Sequence, residues 1–541
     1  MQLSKQGLKN EKAWKEAGIK LPFYDYEKVW KNTIEEPIWI HFGAGNIFRG
    51  FIAALQQELL NKRVSDKGIL CSDTFDYDII DKIYVPHDNL SLFVGLKPDG
   101  TMEKEVIASI AEAIPADFTK EKEKKRLKEI FTKKSLQIAS FTITEKGYAL
   151  ADSKGCLLPV VEKDIKAGPA KCIHAMSIVT ALLYERYKTI QWPIAMVSMD
   201  NCSHNGEKLK NAILFLANEW EKEGFIEKEF LLYLEDETKV TFPWSMIDKI
   251  TPRPDETVEK SLTCDNLEDI RPVITSKNTY IAPFVNAEIP QYLVIEDLFP
   301  NGRPALEKAG VYFTSREVVN MTEKMKVTTC LNPLHTALAV YGCLLGYHKI
   351  SDEMKDEELV SLIKTIGYKE GMQVVTDPKI IHPKDFIDEV VNVRLPNPFI
   401  PDTPQRIATD TSQKVGIRFG ETLKAYASSD CLHISDLKGI PLAIAGWLRY
   451  LLGVDDEGHV MELSSDPMLL ELKEVVKEIK YDDKTSYKGQ FHTLFENKNV
   501  FGVNLIEIGL SEKVEHMFVS MLQGKGAVRN TLMHELQKED N

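Results

Sequence analysis

Pro37-Ile38-Trp39-Ile40-His41-Phe42-Gly43-Ala44-Gly45-Asn46-Ile47-Phe48-Arg49-Gly50 is the stretch that decides the fold. A short apolar run meets two glycines, and beyond them Phe48, Phe51, Ile52, Leu55 and Leu59 recur at helical spacing. The order is strand, glycine turn, amphipathic helix. Glycines permit a tight turn and close backbone approach to a pyrophosphate, and the helix start offers free N–H groups and a favourable dipole. This predicts a dinucleotide site from Gly43, Gly45, Asn46, Phe48 and Arg49, although Phe48 replaces the usual third glycine. A plain strand–helix turn is the competing reading. The next strand, Gly68 to Ser72, ends at Asp73, where a carboxylate would accept the adenosine ribose hydroxyls and favour NAD over NADP. Asp76 competes for that role, and either could be an ordinary turn residue.

Outward from this stretch, Leu136–Thr144, Ile194–Met199 and Ala282–Ile295 read as further strands, with an apolar helix over Lys171–Tyr187. Strands alternating with helices imply a mainly parallel sheet covered on both faces. Residues 1–30 read as one polar helix and a lead-in, and the charged run Lys120–Lys128 as the solvated face of a helix. From residue 316 long helical segments take over: 316–348, 352–366, 384–393, 414–428, 435–453, 466–479 and 512–538. The expected division is an α/β domain over 1–315 and a mostly helical domain over 316–541, packed tightly with a site between them.

The 541 residues carry 43% hydrophobic and 27% charged residues, enough for sizeable cores and against wholesale disorder. A formal net charge of −14 makes nucleic acid a poor partner, but leaves room for a local basic pocket that takes a small anion. No apolar run reaches the length of a membrane span, and the polar N-terminus lacks a signal-peptide core. Eight scattered cysteines without a C-x-x-C pair argue against zinc or a disulfide framework and suit a reducing cytoplasm.

A second constellation lies in 316–348: Glu323, Lys326, Asn332 and His335 among Met321, Met325, Leu331, Leu334 and Leu338. A lysine beside apolar surface moves toward the range where it exchanges protons. An asparagine can hold a carbonyl or alkoxide oxygen, and a histidine can fix a neighbouring hydroxyl. By pattern alone a plain helix with a surface lysine and a core histidine accounts for the same residues. Pro333 leaves the carbonyl of Thr329 without its helical partner, a setting for a kink or bulge.

GAGNIFRG (43–50), SMDNCSHNG (198–206), FPWSMIDKITP (242–252), DLFPNGRPALEKAGV (297–311), LNPLHTA (331–337) and RLPNPFIPDTPQRIATDTSQK (394–414) together resemble the mannitol dehydrogenase family of polyol-specific long-chain dehydrogenases. The resemblance runs from about residue 36 to 450. It implies a Rossmann-type NAD-binding domain, a helical C-terminal domain and metal-free hydride transfer. It implies Lys326 as general acid/base, Asn201 and Asn332 as the oxyanion hole, and His335 as the residue orienting substrate. Arg406, Lys414, Asp248 and Glu323 match substrate-side residues, and Glu145 a proton-path glutamate.

Two departures stand out. The family's lysine precedes its asparagine by five residues, whereas Lys326 precedes Asn332 by six. On an ideal helix six residues rotate a side chain by about 240°, against about 140° for five, so the extra residue requires a bulge. The family's arginine in the D-R-I-T-P segment is Lys249, followed by Arg253. Two cations there lean toward a sugar acid, because a carboxylate takes a bidentate fork. The expected reaction is reduction of D-fructuronate to D-mannonate, with mannitol 2-dehydrogenase or tagaturonate reductase as alternatives and a non-catalytic nucleotide-binding protein as the remote one.

Overall fold

The computed structural model describes residues 1–537. It forms two compact units, one of Met1–Lys97 with Thr101–Asn320, the other of Pro98–Gly100 with the chain from Met321. The division falls inside a helix, Arg316–Met325. A helix midpoint leaves no mark in composition, so the sequence shows only where the helix starts.

The first unit is built on a six-stranded sheet: β1 (Trp39–Phe42), β2 (Ile69–Asp73), β3 (Ile110–Pro115), β4 (Ile138–Phe141), β5 (Ile194–Ser198) and β6 (Val240–Thr241). The order is β3-β2-β1-β4-β5-β6 and every pairing is parallel. Every residue of β1, β2, β4 and β5 is buried, as a sheet covered on both faces requires. The order reverses between β1 and β4, so the ligand crevice of such a sheet lies at the carboxyl end of β1. At the amino ends of β4 and β5 the buried Arg186 donates to the carbonyls of Phe131, Lys133, Leu136, Trp192 and Pro193, fastening the connections there.

The N-terminal stretch departs from its expected single helix. It forms Lys5–Leu8, Glu11–Glu16 and Tyr26–Glu35, with Ile19–Lys20 pairing along Met102–Ile107. Ser91–Leu96 and Met102–Ile107 make an antiparallel hairpin that the sequence does not announce, because Met102–Glu105 is half-exposed and mixes charge with apolar residues. Phe284–Glu288 joins this hairpin.

The second unit is helical. The expected helix 316–348 is α1 (Arg316–Met325), a π-helical turn over Lys326–Cys330, and α2 (Asn332–Leu344). The expected helix 512–538 is two helices, Ser511–Ser520 and Ala527–Gln537, separated by Gly524 and Gly526 at positive φ. Residues 538–541 lie outside the described residues. The carboxylate of Glu370 accepts from the N–H groups of Lys438, Gly439 and Ile440 at 2.5, 2.7 and 2.9 Å, capping helix Gly439–Tyr450. Among the described residues no helix is long and apolar enough to cross a membrane.

Candidate active site

The glycine turn leaves β1 at the crevice. Gly43 has φ +115°, and a Cβ there would collide with the carbonyl oxygen of Thr142. Its N–H donates to Ser72 O at 2.7 Å. Gly45 differs: a Cβ there would meet no atom within 4 Å. Nothing in the protein's own packing requires glycine at 45, and the space beside it is open to a ligand. A Cβ at Gly50 would sit 2.7 Å from Val285 Cγ1. The close-packing function of the missing third glycine thus falls to Gly50.

Phe48 and Arg49, expected at the cofactor, are turned into the protein. Phe48 is fully buried and stacks on His41 at 4.5 Å. Arg49 is buried and donates to Ala282 O at 2.8 Å and Asn46 Oδ1 at 2.9 Å. It orients Asn46, whose amide also reaches Pro252 O at 3.2 Å. His41 is neutral: burial lowers its pKa to about 3, and its nitrogens lie 2.6 and 2.8 Å from the hydroxyls of Ser140 and Thr142.

Asp73 ends β2 beside the turn. Its carboxylate accepts from Ala44 N at 3.0 Å, Phe75 N at 2.9 Å and Asp76 N at 2.7 Å. Burial raises its pKa and these backbone donors oppose the rise. Its competitor Asp76 is spent elsewhere, accepting from Thr275 Oγ1 at 2.6 Å.

Asn201 follows β5 in an exposed turn. The buried Asp200 beside it accepts from Ile143 N and Thr144 N, both at 2.9 Å, and from Tyr148 OH at 2.5 Å. Asp200 so ties the segment holding Glu145 to the end of β5. Glu145 is exposed and ion-paired to Lys208. Asn205 gives its amide to Asp200 O at 3.0 Å and Ser245 O at 2.9 Å and accepts from Ser245 N at 3.0 Å. This fixes the start of strand Ser245–Asp248, whose last residue is the buried Asp248. Neither anchor was singled out in the sequence, although both stand in the SMDNCSHNG segment.

Lys249 is not an available carboxylate contact. Its ammonium donates to the carbonyls of Glu288 and Ile289 and to Gln291 Oε1, and lies over the rings of Phe51 and Phe93. The lean toward a sugar acid drawn from this segment therefore loses its lysine, while Arg253 is exposed.

In the second unit the six-residue gap is resolved. Between Lys326 and Asn332 the chain makes a π-turn, with Leu331 N donating to Lys326 O at 3.1 Å. A π-turn accommodates one extra residue, and Leu331 then leaves helical geometry, with φ −131° and ψ −61°, before α2 begins. Pro333 enters α2 at its first turn, where its missing N–H costs nothing. Lys326 is buried, and Glu323 stands three residues earlier on the same helical face.

His335 Nε2 lies 3.2 Å from Asp402 Oδ2, at an angle too poor for a full hydrogen bond. Arg406, on α3 (Pro404–Ile407), pairs with the other oxygen of Asp402. Burial alone would raise the pKa of Asp402, but His335 and Arg406 outweigh it and hold the carboxyl low. Asp402 therefore links two expected residues, and its i, i+4 spacing to Arg406 was the signal for it. Lys414, just before α4 (Val415–Arg418), donates to Thr409 O and, at 3.5 Å, to Ile407 O. Burial and the nearby Arg418 lower its pKa.

Glu353 is fully buried beside Gly342 of α2 and Pro404 of α3, with no hydrogen-bond partner on either oxygen among the described residues. Burial, with Asp356 nearby, pushes its pKa up to about 10 from an ordinary 4.5. Folding thus favours the neutral form. The stabilisation is complete below about pH 4.5 and is lost as the pH rises through about 10. Urea unfolding at pH 5 and pH 8 should show wild type losing up to about 4 kcal/mol more than Glu353→Gln. The same loss in both proteins would contradict a neutral Glu353. Among the described residues no group of three or more His, Cys, Asp or Glu side chains is placed to hold a metal ion.

Comparison with known proteins defines the class. The mannitol dehydrogenase Rossmann domain matches residues 37–308 and the mannitol dehydrogenase C-terminal domain residues 319–522. The chain belongs to the mannitol dehydrogenase family. It is 53% identical to a D-mannonate oxidoreductase of Thermotoga maritima, over 100% of both chains. Among solved structures it resembles a D-sorbitol dehydrogenase in substrate-free form, with TM-score 0.79, 25% identity, and 95% and 98% of the two chains covered. It also resembles Pseudomonas fluorescens mannitol 2-dehydrogenase in ternary complex with NAD and D-mannitol, with TM-score 0.70, 25% identity and 100% of both chains covered.

Proposed function

We propose that this protein is an NAD-dependent oxidoreductase that reversibly reduces D-fructuronate to D-mannonate. The observation that supports the chemistry is the π-turn at Lys326–Cys330, the kind of bulge that the extra residue between Lys326 and Asn332 calls for. The choice of substrate is supported by the full-length similarity to a D-mannonate oxidoreductase.

The residues suited to hold the dinucleotide are the Gly43–Gly45 turn, with Asn46 steadied by Arg49, and Asp73 for the ribose. When bound, NADH supplies the hydride that the ketone carbon gains. Lys326 Nζ gives a proton to the ketone oxygen as negative charge builds there, and the amides of Asn332 and Asn201 donate to the same oxygen. Such preorganised donors are each worth about a hundredfold or more in turnover. His335, steadied by Asp402, contacts a neighbouring hydroxyl. Arg406, Lys414, Asp248 and Glu323 bind the rest of the substrate, and Glu145 returns the proton from solvent to the lysine.

The test is NADH consumption by the full chain with D-fructuronate, D-tagaturonate and D-fructose in parallel, and NADPH as the cofactor control. D-Fructuronate should lead D-fructose by at least about tenfold in kcat/KM, the discrimination that a buried polar contact supports. A lead for D-fructose would make the protein a mannitol 2-dehydrogenase, and turnover of none would return it to a nucleotide-binding role.

A further inference from the structure

Arg418 is a cation that these roles leave unused. It closes α4, one helical turn after Lys414. The side chain is half-buried; desolvation of its guanidinium lowers its pKa to about 10, and no carboxylate opposes that shift. Buried arginines of this protein spend their N–H groups on backbone carbonyls: Arg186 donates five such bonds, and Arg449 donates to Met521, Val454 and Asp455. Arg418 has one acceptor among the described residues, the hydroxyl of Thr336.

Thr336 follows His335 directly, and its Oγ1 donates to Asn332 O at 2.9 Å. The guanidinium thus abuts the first turn of α2, the turn that bears Asn332 and His335. Arg418 lies near enough to Lys414 to disfavour its charge, while Asp410 and Asp466 favour it and Arg406 adds a weaker opposing effect. A planar fork with donors to spare, near the ammonium of Lys414, suits a carboxylate. A six-carbon keto acid separates its carbonyl from its carboxylate by about the rise of one helical turn, ~5 Å.

We propose that Arg418 binds the carboxylate of the sugar acid and so selects acids over neutral polyols. This rests on the functional reading above for its substrate class. The experiment is calorimetric titration of the enzyme–NADH complex, in which neither ligand can be oxidised, with D-mannonate and, as the neutral probe, D-mannitol. Arg418→Met should weaken D-mannonate at least about thirtyfold while shifting D-mannitol less than about threefold. Arg418→Lys, which keeps the charge but loses the fork, should fall between. Thr336→Val removes the hydrogen bond and keeps the cation, so the acid-to-polyol ratio should hold. Equal weakening of both ligands in the Arg418 variants, loss of the ratio in Thr336→Val, or no D-mannonate binding by wild type would overturn the assignment. If wild type binds D-mannonate through Arg418 but does not oxidise it with NAD, the assignment stands and the proposed reaction fails.

Discussion

Replacing Lys326 by alanine is expected to lower turnover by about 10²–10⁴-fold, the range for a lost general acid, with NADH affinity unchanged. The lysine is buried, so alanine leaves a cavity, and Lys326→Met, closer in volume, serves as the packing control. Both variants should lose the same step, because what they lack is the proton. A single-turnover measurement with saturating NADH separates that step from product release. Turnover within threefold of wild type in either variant would remove Lys326 from the reaction, and the π-turn would then be a structural accident.

Valine at position 45 should do to cofactor binding what alanine at 326 does to chemistry. Space around a Gly45 Cβ is open, so Gly45→Val should fold with a melting temperature near wild type, yet raise the Kd for NADH at least about a hundredfold by filling the approach to the turn. Gly43→Ala is the contrast. There a side chain would meet Thr142 O at a φ of +115°, so it should lose stability by about 2–5 kcal/mol. Fluorescence titration with NADH beside thermal melts reads both. Tight NADH binding by Gly45→Val would mean that the diphosphate lies elsewhere.

The parallel sheet was legible because its strands are continuous apolar runs, each closed by a turn signal, and Asp73 was legible as the residue at the end of the second run. The hairpin Ser91–Ile107 was not, since Met102–Glu105 is half-buried and three of its four residues are charged. The side chains of Phe48 and Arg49 turn inward for a common reason. A residue inside a binding motif is assumed to face the ligand, but helical rotation sends every third or fourth side chain inward, and these two face the core. Lys249 failed differently: a cation's type shows in the sequence, whereas the carbonyls that consume its donors come from residues about forty positions away. Asp402 showed in the sequence only as the i, i+4 neighbour of Arg406, and Arg418 required the fold, because what marks it is which neighbours it has and which it lacks.

The π-turn also bears on how relatives of this chain are recognised. A search pattern that demands lysine five places before asparagine rejects this sequence, and an alignment that counts residues sets Val327 in the lysine's column. Local thickening of the helix takes up the insertion within the Lys326–Cys330 turn, and α2 resumes at Asn332. Patterns that permit one gap ahead of Asn-Pro would gather sequences with the same insertion and keep their lysines in register.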